Sequence, residues 1–345
     1  MNRGGNVLIT GAGGCIGSAL AEKIAKSGVR RLILLDHAEH DLHEIQLALS
    51  AVDACVPRVA ILGDICDAAL LAEVFEKHRP DVIYHAAAFK HVPLMELNPL
   101  AAIRNNVMGT LTLVRGAREY EAAQLVMIST DKAVNPRSVM GVSKRIAELV
   151  LLRWSGIKTH MKAVRLGNVL GSRGSVAPLF QQQISRGGPV TVRHPDVSRY
   201  FLTLREAVDL ILATGNLQGG VFVTESGEPV KIADLARGMI RKAGFEPGVE
   251  IPIVFTQLRP GEKLSEEMVF ASEAVEPTGD ARIHRVRGAA LAADKFDAEM
   301  AQLIQSVERR DLTALVGALA RIVPEYEPSK MLLCAPNPLA RAAAK

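Results

Sequence analysis

The sequence lacks the features that mark secreted, membrane-spanning and nucleic-acid-binding chains. Its four cysteines (Cys15, Cys55, Cys66 and Cys334) are scattered, with no Cys-x-x-Cys pair and no nearby histidine pattern. This excludes a disulfide framework and a structural zinc site, and it is typical of a reducing cytoplasm. No apolar run approaches the roughly 18 residues that a membrane-spanning helix needs. The net charge is only +4 and no basic run stands out, so a nucleic-acid partner is not indicated.

Targeting segments and repeats are missing from the pattern as well. Residues 1–5 lead directly into an apolar strand, which predicts that no signal peptide is present. We find no internal repeat and no low-complexity segment. With 48% hydrophobic and 23% charged residues, the composition is that of a soluble globular protein. A chain of 345 residues can bury a large core and can form two domains, or one large domain with a lobe.

A glycine-rich turn follows the first predicted strand. Gly11, Gly14 and Gly17 have the GxxGxxG spacing and open a helical pattern. The first glycine permits a tight turn, the second lets the backbone approach a pyrophosphate, and the third lets the helix pack on the strand. The start of that helix, at Cys15 and Ile16, would face the phosphates. The pattern predicts a dinucleotide site; a glycine turn without a ligand is the alternative.

Acidic residues end the next two predicted strands. The second strand ends in Asp36, which can bind both ribose hydroxyls of NAD and would repel the additional phosphate of NADP. NAD is therefore favoured, and a simple helix cap is the alternative for Asp36. Asp64 and Ile65 follow the third strand, where the aspartate could meet the adenine edge or cap the following helix.

Small residues and a polar loop follow the fourth predicted strand, 82–85. Ala86 and Ala87 would let the backbone pass close to a flat ligand such as the dinucleotide. Lys90 lies on the loop that comes next. In the helical stretch that ends near residue 120, the amide of Asn106 could hold a water or could be a satisfied core amide.

The most unusual stretch ends the fifth predicted strand, 125–128. Thr130, Asp131 and Lys132 follow it in consecutive positions, and the next helix carries Lys144 in its early turns. Burying these charges without partners would be costly, so we expect a cleft at the strand's C-terminal end. Lys144 could reach the nicotinamide ribose and lower the pKa of neighbouring hydroxyls. Asp131 and Lys132 offer an acid and a base beyond what alcohol oxidation requires; a surface ion pair is the alternative.

Strands separated by helical segments predict an α/β fold. We expect a Rossmann-type doubly wound parallel sheet with helices on both faces. The dinucleotide-binding domain is expected over residues 1–170, with a returning strand and helix near 200–245. A smaller α/β substrate-binding lobe is expected over residues 171–330, interleaved with that domain, and a surface tail over 331–345.

Several segments in order along nearly the whole chain resemble the extended short-chain dehydrogenase/reductase family. Within that family, the chain is similar to nucleotide-sugar 4,6-dehydratases that act on UDP-N-acetylglucosamine, of the capsule, O-antigen and protein-glycosylation type. The segments that carry the resemblance are TGAGGCIG (10–17), HAAAFKHVPLME (85–96), NNVMGT (105–110), STDKAVNPRSVMGVSK (129–144), RLGNVLGSRGSVAPLF (165–180), HPDVSRYF (194–201) and LRPGEKLSEE (258–267).

The resemblance implies a redox-neutral dehydration. Bound NAD(P)+ takes hydride from C4, a base removes the C5 proton, water leaves C6 with acid assistance, and the hydride returns to C6. By resemblance, Asp131 is the acid for the C6 hydroxyl and Lys132 is the base at C5. Thr130 binds near O4, and Lys144 binds the cofactor ribose. The expected product is a 4-keto-6-deoxy sugar with C5 retained, the D-xylo configuration.

Substrate contacts and assembly are also implied by the resemblance. Lys90 is expected near the cofactor or the sugar, and Val176 near the substrate. Asn168, Arg259 and Glu262 are expected to hold the UDP, with Arg259 on the pyrophosphate through charge-assisted hydrogen bonds. Family members commonly pair through two helices, here residues 100–120 and 142–154, so a homodimer or higher homo-oligomer is expected.

Met140 departs from the wider family, which has the tyrosine of a YxxxK motif at this position. A thioether can neither accept nor donate the C4 hydroxyl proton, which disfavours a simple dehydrogenase. Larger, often membrane-anchored 4,6-dehydratases carry methionine here, so the chain could be the soluble part of such a protein at the cytoplasmic face of a membrane. The O4 proton must go to Asp131, to a water held by Thr130, or to Lys144.

Two other functions stay open at this point. A UDP-sugar 4-epimerase would share the fold, the cofactor and the UDP site. A catalytically silent NAD-binding scaffold or sensor is also consistent with Met140.

Overall fold

Short apolar runs separated by helices form one large sheet and three small ones. The computed structural model describes residues 4–52, 56–172, 174–224, 227–288 and 292–333. The strands are β1 Asn6–Thr10, β2 Arg31–Asp36, β3 Arg58–Leu62, β4 Val82–His85, β5 Gln124–Thr130, β6 His160–Leu166, β7 Asn168–Val169, β8 Val190–Val192, β9 Ser198–Arg199, β10 Phe201–Leu202, β11 Gly220–Thr224, β12 Val230–Lys231, β13 Ile253–Phe255, β14 Ala274–Pro277 and β15 Ile283–Arg287.

Helices fill the connections between these strands and form the C-terminal part of the chain. They are α1 Cys15–Ala25, α2 Glu39–Val52, α3 Ala68–His78, α4 Val92–Leu97, α5 Pro99–Ile103, α6 Gly109–Glu119, α7 Val139–Trp154, α8 Val176–Ser185, α9 Leu204–Ala213, α10 Ile232–Lys242, α11 Ala293–Glu308, α12 Leu312–Ile322 and α13 Lys330–Leu333. A π-helical turn, Arg104–Met108, lies between α5 and α6, and 3-10 turns cover Asp131–Ala133 and Thr214–Asn216.

The main sheet has nine strands in the order β14-β15-β11-β6-β5-β4-β1-β2-β3. The predicted doubly wound α/β fold is confirmed: β1 to β6 and β11 pair in parallel. The prediction of a wholly parallel sheet is wrong at one edge, where β15 runs antiparallel to both β11 and β14. The chain order reverses between β1 and β4. In folds of this kind, the crevice outside the carboxyl ends at such a reversal binds the ligand.

Two apolar cores lie on opposite faces of the main sheet. One joins α3, α6, α7, α11 and α12, and the other joins α1, α2 and α9. Residues 139–151 of α7 are all buried within the single chain. Only the last turn of α7 is therefore open to a partner subunit, and the pairing expected through residues 142–154 stays a prediction. Among the described residues, no helix combines the length and apolar character that crossing a bilayer requires.

A third core forms a smaller lobe around α8, β8 and α10. The lobe is smaller than the expected span 171–330, because β11, β15, α9, α11 and α12 pack with the main sheet. Helix α10 belongs to the lobe, since its apolar face packs on α8 and β8, whereas α9 and β11 pack with the main sheet.

The segment before the expected tail and the first residues of that tail are held against the main domain. The Glu327 N–H donates to the Pro136 carbonyl at 3.0 Å, and Leu332 is buried. Residues 334–345 of the expected tail lie outside the described residues.

Candidate active site

The glycine-rich turn after β1 is packed so closely that two of its glycines are required. Gly11 has a φ of +68°, and a Cβ there would lie 2.5 Å from the Ala87 nitrogen. A Cβ on Gly17 would lie 2.0 Å from the Gly11 carbonyl oxygen. Gly14 is the N-cap of α1, so the first-turn N–H groups at Cys15 and Ile16 are free of intrahelical partners. A narrow turn that ends in free N–H groups fits a dinucleotide pyrophosphate.

Asp36 braces this turn from the end of β2. Its Oδ2 accepts a hydrogen bond from the Gly13 N–H at 2.9 Å, and its Oδ1 accepts one from the Ala38 N–H at 3.0 Å. Each carboxylate oxygen can accept further bonds, so the same group can also receive ribose hydroxyls. The bracing and ribose-binding roles of Asp36 are therefore compatible.

The ends of β3 and β4 complete the cofactor-side edge of the sheet. Asp64 Oδ1 accepts from the Cys66 N–H at 2.9 Å, but the cap of α3 is Asp67, whose carboxylate accepts from Leu70 N–H at 3.0 Å. The helix-cap alternative for Asp64 is therefore wrong. A contact between its carboxylate and the adenine stays a prediction. Ile65 is buried beside it.

Close packing against the glycine turn positions Ala86 and Ala87 at this edge. A Cβ on Gly11 would lie 2.7 Å from the Ala86 carbonyl carbon as well as against Ala87. The two alanines therefore border the cradle that the glycines shape, as the prediction of a close backbone approach requires.

Asn106 fixes the loop that carries Lys90. In the π-helical turn, Asn106 Oδ1 accepts from the Phe89 N–H at 2.8 Å, and its Nδ2 donates to the Phe89 carbonyl at 3.0 Å and to Ser143 Oγ at 2.9 Å. Asn106 is thus a fully hydrogen-bonded core amide, the alternative to an amide that holds a water. It ties the loop after β4 to α7, and Lys90 lies exposed on that loop.

The Thr-Asp-Lys stretch gathers at the carboxyl end of β5, as predicted. Thr130 Oγ1 donates to Asp131 Oδ1 at 2.9 Å, and Lys132 Nζ donates to the same oxygen at 2.9 Å. The ammonium also donates to Asn168 Oδ1 at 2.9 Å. Asp131 is fully buried, and its Oδ2 has no hydrogen-bond partner among the described residues. A buried carboxylate oxygen without a partner is rare and marks a place for a ligand or a transferred proton.

Glu266 joins this group, although no sequence pattern singles it out. Its Oε1 lies 3.7 Å from Lys132 Nζ. We refer to Asp131, Lys132, Asn168 and Glu266 as the site cluster. Glu266 is one of three glutamates in LRPGEKLSEE, and no local signal distinguishes the buried one.

The surroundings move the pKa values of the lysines in opposite directions. Burial lowers the pKa of Lys132, but the Asp131 and Glu266 carboxylates outweigh it, and the net shift is upward. Burial dominates at Lys144 and lowers its pKa to about 8, against the opposing Glu148 charge. Among the described residues, the Lys144 ammonium has no hydrogen-bond or ion-pair partner. Its contact with the cofactor ribose stays a prediction.

Met140 is buried in the first turn of α7, one helical turn before Lys144. Its carbonyl accepts the Ser143 hydroxyl at 2.7 Å, and its side chain belongs to the apolar core. Met140 therefore presents no proton-transferring group at the position of the family tyrosine.

The residues expected to hold UDP are only partly brought together. Asn168 lies in the site cluster, on Lys132. The Glu262 carboxylate accepts from the Arg259 N–H at 2.9 Å and so stabilises the turn at Gly261, which packs against Ser138. The Arg259 side chain is exposed, and Val176 opens α8. Their contacts with substrate stay predictions.

A second buried charge cluster is centred on Arg165 of β6. Arg165 donates to both oxygens of Glu148, at 2.9 Å each, and to both oxygens of Glu273, at 2.7 and 2.9 Å. Arg145 and the Ser129 hydroxyl also donate to Glu148, at 3.0 and 2.7 Å. We refer to Arg145, Glu148, Arg165 and Glu273 as the support cluster. It joins β5, β6 and α7 to the segment before β14.

The chain is similar to known proteins of polysaccharide biosynthesis. A family model described as "Polysaccharide biosynthesis protein" matches residues 7–288. The capsular polysaccharide biosynthesis protein CapD of Staphylococcus aureus is 50% identical over 272 residues, which are 77% of this chain and 45% of CapD. The chain thus spans less than half the length of CapD.

An epimerase and a dehydratase are also similar to the chain. A UDP-glucose 4-epimerase of Rickettsia rickettsii is 32% identical over 280 residues, 77% of this chain and 78% of that protein. The crystal structure of DesIV, a dTDP-glucose 4,6-dehydratase from Streptomyces venezuelae with NAD and TYD bound, superposes with a TM-score of 0.66. It is 22% identical and covers 76% of this chain and 88% of DesIV, so this likeness concerns the fold.

Proposed function

The chain belongs to the polysaccharide biosynthesis protein family, and from this premise we propose that it is an NAD-dependent nucleotide-sugar 4,6-dehydratase. The substrate is UDP-N-acetylglucosamine, and the product is UDP-2-acetamido-2,6-dideoxy-4-keto-hexose of D-xylo configuration. One observation carries the proposal. A buried acid and an adjacent lysine, Asp131 and Lys132, meet at the sheet's ligand-binding edge, where Met140 replaces the tyrosine of simple oxidoreductases.

NAD+ fits the residues at this edge. The Gly11 and Gly17 turn would hold the pyrophosphate, Asp36 and Lys144 the two riboses, and Asp64 the adenine side. When bound, the nicotinamide would accept hydride from C4 of the sugar and return it at C6. Asp36 favours NAD over NADP because its buried carboxylate would repel a 2′-phosphate.

The O4 proton passes to Asp131 through Thr130. The Thr130 hydroxyl donates to Asp131 Oδ1, so it can accept the O4 proton while it passes its own proton to the carboxylate. This relay supplies the step that Met140 cannot perform, and it leaves Asp131 protonated. The proton then lies on Asp131 Oδ1, the oxygen from which the C6 hydroxyl would receive it.

Elimination then uses both members of the pair. Neutral Lys132 removes the C5 proton, which the 4-keto group has made acidic, while protonated Asp131 gives its proton to the C6 hydroxyl. The C6–O bond breaks, water leaves, and a C5–C6 double bond forms. After hydride returns to C6, Lys132 returns its proton to C5 on the same face, which retains the configuration. Asp131 and Lys132 end in their starting protonation states.

The test is incubation of the purified protein with UDP-N-acetylglucosamine, with and without added NAD+. We expect loss of one water by mass spectrometry, and deuterium placed at C4 should reappear at C6 of the same molecule. A proton NMR spectrum of the product should show retention at C5. No change of mass with any UDP-sugar would overturn the dehydratase and favour a silent NAD-binding scaffold.

A UDP-sugar 4-epimerase is the second candidate, since a relative of that name is 32% identical to the chain. An epimerase would give a C4 epimer of unchanged mass, so the same experiment separates the two. The Asp131–Lys132 pair favours the dehydratase, because epimerisation needs no acid at C6. A homo-oligomer and a position at the cytoplasmic face of a membrane, as part of a longer protein, belong to the same proposal.

A further inference from the structure

Glu266 is a buried carboxylate for which the proposed acid and base leave no role. Its side chain is 3% exposed, and its Oε2 has no hydrogen-bond partner among the described residues. The nearest cations to its two oxygens are Arg199 at 3.6 Å, Lys132 at 3.7 Å and Lys263 at 4.0 Å. A structural ion pair would normally have both oxygens hydrogen-bonded. Glu266 therefore does not resemble a residue retained for stability.

Two of the cations near Glu266, Arg199 and Lys263, donate hydrogen bonds to backbone carbonyls. The Arg199 guanidinium donates to three backbone carbonyls, those of Ser198, Lys263 and Leu264, at 2.7, 2.9 and 3.1 Å. The Lys263 ammonium donates to the Val134 carbonyl at 2.7 Å. Backbone carbonyls thus anchor both cations, whereas the bonds of Lys132 are to side chains of the site cluster.

Lys132 has one donor left for Glu266. An ammonium has three N–H groups, and those of Lys132 that are hydrogen-bonded point to Asp131 and Asn168. The remaining N–H has Glu266 Oε1 within ion-pair distance, at 3.7 Å. A shift of less than about 1 Å would form a hydrogen bond of ordinary length.

We infer that Glu266 takes the proton of the Lys132 ammonium and so makes the neutral amine available to act on C5. This inference rests on the dehydratase proposed above. One N–H bond of Lys132 breaks, one O–H bond of Glu266 forms, and the electron pair stays on Nζ. The proton count of the site is unchanged, so the base is generated without release of a proton to solvent. Glu266 thus acts through Lys132, by accepting its proton, and does not itself contact the sugar in this inference.

The charges around Glu266 agree with this role. Burial raises the pKa of the Glu266 carboxyl, and the Asp131 charge adds to the rise. Lys132, Arg199 and Lys263 act in the opposite direction, but the net shift is upward. A carboxyl that holds a proton more readily than usual is a suitable acceptor beside an amine that must give one up.

The pH profile of turnover tests the inference against a purely structural role. Glu266→Gln removes the acceptor, and Glu267→Gln is the matched control, because Glu267 is the exposed next residue in the same segment. In wild type and in Glu267→Gln we expect kcat to be flat from about pH 6 to 8. In Glu266→Gln the active form has one proton fewer than the resting form. Its kcat should therefore fall tenfold for each pH unit below the pKa of Lys132.

A flat profile in Glu266→Gln, at a rate within twofold of wild type, would overturn the inference. Thermal unfolding of each variant checks the fold. If Glu266→Gln does not fold, Glu266→Asp replaces it: a shortened acceptor should lower kcat while leaving the profile flat, and an unchanged kcat would count against the relay.

A titration without substrate separates this inference from the proposed function. The NMR signal of the Lys132 side chain should report a lower pKa in Glu266→Gln, by about one unit or more, and no change in Glu267→Gln. An unchanged Lys132 pKa in Glu266→Gln would reject the coupling even if the enzyme is active. A shifted pKa in a protein that dehydrates no nucleotide sugar would support the coupling and reject the dehydratase.

Discussion

Two buried charge clusters include residues at or just beyond the ends of β5 and β6, and they differ in how completely their oxygen atoms are hydrogen-bonded. In the support cluster every oxygen of Glu148 and Glu273 accepts a hydrogen bond. In the site cluster Asp131 and Glu266 each keep one buried oxygen that has no hydrogen-bond partner in the part of the chain that the structure describes. Both clusters are built from residues of similar charge and burial, so the composition of a cluster does not reveal its role.

The difference shows what each cluster is suited to do. A fully bonded cluster has one stable protonation state; burial raises the pKa of Glu148, but Arg165 and Arg145 outweigh it and hold the pKa at about 2. The site cluster has spare acceptors and a lysine between two carboxylates, so protons can move within it at low cost. The support cluster connects the C-terminal parts of β5 and β6 to α7 through hydrogen bonds. Thr130, Asp131 and Lys132 directly follow the connected residue Ser129.

The largest expected effect comes from removing the base without removing its charge. Lys132→Arg keeps a cation between Asp131 and Glu266, but a guanidinium does not deprotonate in proteins. We expect kcat to fall by about 10² to 10⁴-fold, the usual share of general base catalysis. Bound NAD and thermal stability should stay close to wild type, because the variant keeps a cation beside Asp131 and the Lys132 side chain is 20% exposed.

The control for this variant is Lys158→Arg, at an exposed lysine paired with Glu121. It should leave kcat unchanged. Near-normal turnover in Lys132→Arg, measured as water loss from the nucleotide sugar, would remove Lys132 as the C5 base.

The support cluster should respond in the opposite way, through stability. Arg165→Met removes four hydrogen bonds to Glu148 and Glu273, and Arg145, at 3.0 and 3.6 Å from them, is the cation that remains. We expect unfolding in urea to require about 3–5 kcal/mol less free energy. Arg153→Met, at an exposed pair with Asp297, removes the same type of side chain and should have a much smaller effect. Equal losses in the two variants would show that burial of the cluster does not matter.

A milder change tests whether the two clusters act independently. Ser129→Ala removes one donor to Glu148 Oε1, but Arg165 Nε still donates to that oxygen at 2.9 Å. We expect a loss of about 1 kcal/mol in unfolding free energy and less than a twofold change in kcat. A tenfold loss of kcat with little loss of stability would mean that the support cluster tunes the chemistry directly.

The sequence predicts most of the fold, because buried parallel strands appear as short apolar runs between helices. Strand β15 escaped prediction, since its sequence IHRVR places arginine and histidine between the apolar residues of an edge region. The boundary of the lobe stays a prediction. Which core a helix such as α10 joins is decided by packing between distant segments, and local periodicity does not report it.

At the site, the consecutive residues were predictable and the distant partners were not. Thr130, Asp131 and Lys132 stand out because charges at the end of an apolar strand need a reason. Glu266 does not stand out, because it lies in a polar segment and reaches Lys132 only through the fold. The resemblance assigns Asn168 to UDP binding. In the structure its Oδ1 accepts a hydrogen bond from Lys132 Nζ at 2.9 Å.

The smallest expected effect concerns a buried lysine that, unlike Lys132, has no carboxylate partner among the described residues. Lys162 is 1% exposed and donates only to Gln124 Oε1 and the Gly215 carbonyl, at 2.7 and 2.8 Å. Burial lowers its pKa from 10.5 to about 8 in the native state. Between these values the unfolded chain binds the proton that the native state has lost. The unfolding free energy should therefore rise with pH, by at most about 1.4 kcal/mol per unit for this group.

The comparison of wild type with Lys162→Met isolates this contribution, because Lys144, whose pKa is also lowered to about 8, is present in both. Urea unfolding at about pH 7.5, 8.5 and 9.5 stays below the range in which tyrosines of the unfolded chain ionise. The stability of Lys162→Met should rise less steeply with pH than that of wild type. Parallel curves would mean that Lys162 keeps its ordinary pKa, and that an amine can stay charged in this core without the anions that surround Lys132.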